Sequence, residues 1–169
     1  MNLELLKEND QQLLEVSDLW DFEFDGDPTE LVTSMAKFMT ANGGVGLAAP
    51  QVGIKKRIFI MGNFMKLVAC INPMIVTLSE DRFADLEGCL SFPDLFMKVK
   101  RPSSCVVQYY STEGTKIERE LTGMEARVFL HEFDHLMGVT FDQRAGDTTL
   151  MMAKEKRKKE LKKKSRASA

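Results

Sequence analysis

The sequence predicts an α+β fold, with mixed or antiparallel β-sheets packed around a central helix that carries the pattern His-Glu-x-x-His. Three observations lead there. Short β-branched runs separated by turn residues occupy much of the stretch from 57 to 121. A hairpin turn, Thr112-Glu113-Gly114, joins the last two of those runs. A capped, largely apolar helix follows them, containing both histidines of the chain, His131 and His135. A length of 169 residues with 44% apolar content supplies one core of ordinary size.

In chain order, residues 1–26 read as a short helix or an irregular arm lying on the domain, with Leu3, Leu13, Leu14 and Val16 among its apolar positions. Asp27-Pro28-Thr29-Glu30 opens a helix with an N-cap, a proline in the first turn and an early glutamate. Leu31, Met35, Phe38 and Met39 recur at helical spacing as core residues, and Asn42-Gly43 ends the helix. From Gly43 to Gly53 small residues predominate, which predicts a tight loop whose backbone can approach a ligand closely. Gly44-x-Gly46 is no dinucleotide loop, because it follows a helix and lacks the third glycine. Gln51 stands beside it, an amide able to aim a donor into an adjoining cleft.

Strands are expected over 57–61, 67–71 and 74–78, broken at Gly62-Asn63 and Asn72-Pro73, and again over 98–100, 105–110 and 116–121. Between the two groups Cys89, preceded by Gly88 and followed by Pro93, sits in a constrained turn that suits a thiolate held toward a metal. Cys70 and Cys105 lie inside apolar runs and read as inert core thiols. Thr122 and Glu125 form a capping-box pattern at the start of the His helix, and Gly138 is its stop.

An odd, widely spaced set of three cysteines argues against a disulfide scaffold and for a reducing, cytoplasmic setting. No run of 18 apolar residues and no basic-then-apolar leader is present, so neither a membrane span nor a secretory signal is expected. The net charge of −2 conceals an asymmetry: residues 153–169 carry nine Lys or Arg against Glu155 and Glu160. That divides the chain into a single domain, 1–152, and a basic C-terminal tail, 153–169. A tail of this kind is either a solvated terminus or a binding element.

The chemistry starts from helical periodicity. Positions i and i+4 lie one above the other, so His131 and His135 can direct two imidazoles at one metal ion with Glu132 alongside. The competing reading, two core histidines hydrogen-bonded to neighbours, is weakened by the absence of any other histidine. In the extended His-Glu-x-x-His-x-x-Gly-x-x-His pattern Gly138 is in place but the last position is Phe141, and Glu155 and Glu160 stand in the basic tail. Cys89 is the better third ligand. Two imidazoles and a thiolate leave a fourth position open for water, which is the catalytic arrangement.

Gly44-Val-Gly-Leu-Ala-Ala-Pro-Gln51, Glu87-Gly-Cys-Leu-Ser91 and His131-Glu-Phe-Asp-His135 follow one another as three motifs, and in these the chain closely resembles the peptide deformylase family from about residue 28 to 144. The resemblance implies a metal-dependent hydrolase that removes the N-formyl group from the N-terminal formylmethionine of newly synthesised polypeptides and releases formate. It implies Cys89, His131 and His135 as ligands, Glu132 as acid/base, and Gln51 with the Leu90 backbone N–H as oxyanion donors. It also implies Fe²⁺, one per chain, with Zn²⁺, Ni²⁺ or Co²⁺ able to substitute; ligand chemistry alone would favour zinc.

A backbone edge at Val45-Gly46 can pair with the substrate as an added strand, and Gly88 is counted with it as a substrate contact. Val45, Met124 and Val128 are the candidates for an apolar methionine pocket. Two positions depart from the family pattern: Phe96, where an arginine is common, and Leu130, where a glutamine often precedes the His-Glu pair. The implied partners are N-formylmethionyl nascent peptides and, through attraction of Lys154 to Arg166 for ribosomal RNA, the ribosome. A monomer is expected.

Overall fold

Apolar faces of strands and of one helix meet so that the helix lies across one face of a sheet. The structure, a computed structural model, describes residues 1–63 and 65–167. Its elements are α1 (Thr29–Ala41), β1 (Gly46–Ala48), β2 (Ile58–Asn63), β3 (Lys66–Leu78), β4 (Arg82–Cys89), β5 (Phe92–Pro102), β6 (Ser104–Tyr110), β7 (Lys116–Thr122), α2 (Gly123–Leu136) and α3 (Asp147–Ala167). Five strands form an antiparallel sheet in the order β1-β2-β3-β6-β7, and β4 and β5 form a separate two-stranded sheet. The α+β class predicted from the sequence is the class observed.

Period-two alternation along β2 divides the core. Phe59 and Met61 point to one face, where they meet α2 through Phe129, Ala126 and Leu130; Ile58 and Ile60 point to the other, where α1 supplies Leu31, Met35 and Met39. The Phe59 and Phe129 rings meet edge to face with centroids 5.0 Å apart, a contact that fixes α2 across the sheet. Each fully buried aromatic of this kind contributes about 1.5–3 kcal/mol through burial. A third cluster, with Leu95, Met97, Val99, Phe141 and Ala153, seats α3 on the inner face of β5.

Several local expectations change. The two runs 67–71 and 74–78 are one strand, β3, because Asn72 takes a left-handed φ of 50° and shifts in register between Ile71 and Met74 absorb Pro73 as an irregularity in pairing. Gly62-Asn63 lies within β2 and ends it. The strand expected at 98–100 is the middle of β5, whose partner β4 breaks the sequence pattern by carrying Asp85 and Glu87 at inward positions and Ala84, Leu86 and Gly88 at outward ones. The glycine-rich loop contains β1 and a 3₁₀ turn, Ala49–Val52. Asp27 Oδ1 accepts from the Thr29 N–H at 2.9 Å, as an N-terminal cap should. The Thr122/Glu125 capping box does not form: Thr122 makes no side-chain cap bond, and Glu125 pairs with Arg119 at 2.7 Å.

The arm before α1 is irregular apart from the 3₁₀ turn Gln11–Leu14, and it is held by the Ser17 N–H donating to the Leu136 carbonyl at 2.9 Å. The basic segment 153–169 belongs, as far as residue 167, to α3, which begins earlier at Asp147. Arg157 ties α3 to Glu8 at 2.9 Å, and Lys164 ties it to Asp94 at 2.9 Å. No helix among the described residues is long and apolar enough to cross a membrane.

Candidate metal centre and active site

α2 places His131 and His135 one turn apart on the face that looks toward the β4–β5 turn. Cys89 closes β4 there, and one ligand atom from each of the three residues lies within 4.8 Å of the others. Cys89 Sγ is 3.3 Å from His135 Nε2. The other ring nitrogen of His131, Nδ1, meets Glu87 Oε2 at 3.0 Å, which orients the imidazole and leaves Nε2 for a metal. A thiolate and two imidazoles suit a transition-metal ion, with a coordination position left for water.

Glu132, between the two histidines, is buried, and its Oε2 has no hydrogen-bond partner among the described residues. Such an atom is expensive to bury unless a water or substrate proton reaches it. Burial raises the Glu132 carboxyl to about 7, against the opposing pull of His131 and Arg101. A carboxyl in that range can both take and return a proton near neutrality. The carboxylate lies directly on the backbone of Gly46: a Cβ added there would stand 2.2 Å from Glu132 Oε1. Burial, joined by the charges of His131 and Arg101, holds His135 well below the ordinary histidine range, so its ring is neutral as a ligand must be.

Gln51, in the 3₁₀ turn after β1, is buried and fixed at both ends of its amide. Its Oε1 accepts from the Ala48 N–H at 2.9 Å, and its Nε2 donates to Cys89 Sγ at 3.3 Å and to Ser91 Oγ at 3.2 Å. The amide therefore faces the sulfur edge of the centre. Val45, Gly46, Gly88, Leu90, Met124 and Val128 line one cleft of about 640 Å³ with Gln51, Cys89, His131 and Glu132. Val45 and Met124 are 60% and 58% exposed, so they form its rim, while Val128 lies deeper. His135 lies behind the cleft surface.

Sequence reasoning overlooked the ionic frame beneath this site. Glu87 accepts from Arg101 Nε at 2.7 Å and from Arg127, and Arg101 Nη1 reaches Asp134 Oδ2 at 2.8 Å, all four side chains being buried. Burial alone would raise the Glu87 carboxyl, but hydrogen bonds from His131 and Arg101 outweigh it and hold the group at about 2. The signal was present: Arg127 and Asp134 stand among the apolar positions of the helix, and Arg101 sits at an inward position of an alternating strand. Charges in such places need partners.

Comparisons with known proteins converge on one family. The family model described as "Polypeptide deformylase" matches residues 2–150. A peptide deformylase of Thermotoga sp. (strain RQ2) is 41% identical over 134 residues, covering 79% of this chain and 82% of that protein. The crystal structure of peptide deformylase from Thermotoga maritima superposes with a TM-score of 0.81 at 39% identity, over 85% of this chain and 97% of that one. A Met-Ala-Ser-bound deformylase of Acinetobacter baumannii superposes with a TM-score of 0.80 at 30% identity, over 86% and 99% of the two chains.

Proposed function

Because the chain belongs to the peptide deformylase family, and is a metal-dependent hydrolase that removes the N-formyl group from nascent polypeptides, we propose a role for each residue of the site. Cys89, His131 and His135 hold the metal, which is Fe²⁺, with Zn²⁺, Ni²⁺ or Co²⁺ able to take its place. When bound, such an ion supplies Lewis acidity, lowering the pKa of a water and polarising the formyl oxygen. Glu132 removes the proton of the attacking water and returns it to the leaving amine as formate departs, a use of one group that its buried, unpartnered Oε2 supports. Gln51 Nε2, which reaches Cys89 Sγ, and the N–H of Leu90, the residue after Cys89, stabilise the developing oxyanion; removal of such a donor typically raises a barrier by about 3–4 kcal/mol.

The substrate is the N-formylmethionyl end of a nascent chain. Among the described residues β1 pairs only with β2, so its other edge is open at Val45-Gly46 for an added strand, with Gly88 bordering the same cleft. Val45, Met124 and Val128 receive the methionine side chain. Residues 1–152 carry the reaction as a monomeric, cytoplasmic enzyme, and the exposed lysines of 153–169 contact ribosomal RNA.

The single observation that carries this reading is the meeting of Cys89 Sγ, from a strand end, with two imidazoles from one helix face. Formate release from formyl-Met-Ala-Ser by the metal-loaded protein tests it. Glu132→Gln should lower turnover at least about a hundredfold with metal still bound; undiminished activity removes Glu132 from its role. Replacing Lys158, Lys159, Lys162 and Lys163 by Glu should abolish co-sedimentation with ribosomes at low salt, and unchanged co-sedimentation refutes the contact.

A further inference from the structure

The β4–β5 hairpin has two unlike faces. Glu87, Met97, Val99 and Arg101 point inward and are buried. The outward face carries Leu86 and Gly88 on one strand and Phe96 and Lys98 on the other, with Leu86 in register with Lys98 and Gly88 with Phe96. Outward positions of a one-sided sheet are ordinarily polar, yet Leu86 is 58% and Phe96 56% exposed. Neither belongs to a core cluster of the described residues.

The Phe96 ring is seated on bare backbone. A Cβ at Gly88 would lie 2.5 Å from its Cε1, so the absence of a side chain at Gly88 is what lets the ring lie down there. Leu86 and Phe96 also line the cleft that contains Cys89, His131 and Glu132. The apolar patch is thus continuous with the reaction centre, and a peptide whose formyl end is at Cys89 must carry its following residues past it.

We propose that Phe96 and Leu86 form a shelf that makes this enzyme select large apolar side chains in the residues immediately after the formylated methionine. The inference rests on the deformylase reading and adds to it a substrate class. Covering the ring and the leucine with an apolar side chain removes both surfaces from water, whereas alanine leaves them wet. Lys98, exposed beside Leu86, repels a basic residue at the same place. The order of preference is therefore phenylalanine or leucine, then alanine, with lysine last.

The test uses the full metal-loaded chain and formyl-Met-X-Ser and formyl-Met-Ala-X peptides with X as Phe, Leu, Ala, Glu or Lys. At one of the two positions kcat/KM should be roughly tenfold higher for Phe than for Ala, the scale of one partly covered aromatic contact. Phe96→Ala should flatten the series, and Phe96→Arg should turn it toward Glu, with metal content and melting midpoint held as controls for folding. Competition by the unformylated products Met-Phe-Ser and Met-Ala-Ser reads the shelf without turnover. Equal affinity of these two peptides and of Met-Ala-Phe, or a preference for Phe that survives in Phe96→Ala, overturns the proposal. Loss of formate release with the affinity ranking intact would instead overturn the deformylase reading and leave the shelf standing.

Discussion

Replacing Gly46 by alanine isolates the position of one carboxylate. The Gly46 backbone lies in β1 without a positive φ, so alanine fits its conformation; what it meets is Glu132, with Oε1 at 2.2 Å, Cδ at 2.7 Å and Cγ at 2.9 Å from the added Cβ. Carbon and oxygen atoms in favourable contact stand about 3.5 Å apart, so the carboxylate must retreat by more than about 1 Å. Glu132 is only 4% exposed and borders the cleft beside the two histidines, so any retreat carries its carboxylate out of that position. A misplacement of that size can cost about a hundredfold in rate. Gly46→Ala should therefore lower kcat for formyl-Met-Ala-Ser by about two orders of magnitude, with one metal per chain retained and the melting midpoint little altered. Gly44→Ala, whose Cβ meets the movable Leu90 and Met39 side chains at 2.9 and 3.1 Å, should be much milder. A Gly46→Ala enzyme that keeps more than a tenth of the parent kcat would refute the view that this contact sets the working position of Glu132.

Three further outcomes follow from the surroundings of the proposed metal ligands. When no ion is held, burial opposes protonation of His131, but Cys89 and Glu87 outweigh it and raise the imidazole to about 10; a ligand must shed that proton, so metal uptake at neutral pH should release protons into a weakly buffered indicator solution and affinity should fall as the pH is lowered. No proton release would contradict the assignment. Glu87 is held at about 2 against an ordinary 4.5, so its contribution to folding, on the order of 3 kcal/mol, is complete above the ordinary value and lost as the pH falls from 4.5 toward 2. Acid unfolding followed by circular dichroism should show this limb in the parent and not in Glu87→Gln, and identical limbs would exclude Glu87 as its source. With iron beside a thiolate, activity should decay in air or peroxide while a nickel-loaded sample persists; equal decay would point to a target other than Cys89.

Much of the site was legible in one dimension because its chemistry is local or compositional. His131, Glu132 and His135 lie within one turn of one helix, and the period of 3.6 alone makes the two rings neighbours. Cys89 could be reached by elimination, since the extended pattern fails at Phe141 and the remaining acidic candidates sit among lysines. The glycines at 44 and 46 announced close approach, although not what would approach: Glu132 fills the space that Gly46 leaves. Strand boundaries were less readable. β3 continues through Asn72-Pro73 because pairing with β2 and β6 overrides a local turn signal, and β4 was hidden because its charges Asp85 and Glu87 take inward positions while Ala84, Leu86 and Gly88 face outward.

By itself the sequence determined which groups can do chemistry, and it determined the class of fold, since side-chain identity, helical spacing and strand alternation are properties of neighbours along the chain. Only the tertiary structure decided how those groups are held. The frame of Glu87, Arg101, Arg127 and Asp134 joins residues up to 40 positions apart, and the shelf of Leu86 and Phe96 depends on β4–β5 register. Contacts between distant segments form only once burial of a shared core offsets the entropy of closing the chain between them, and no periodicity within a single segment records which distant partner will be met.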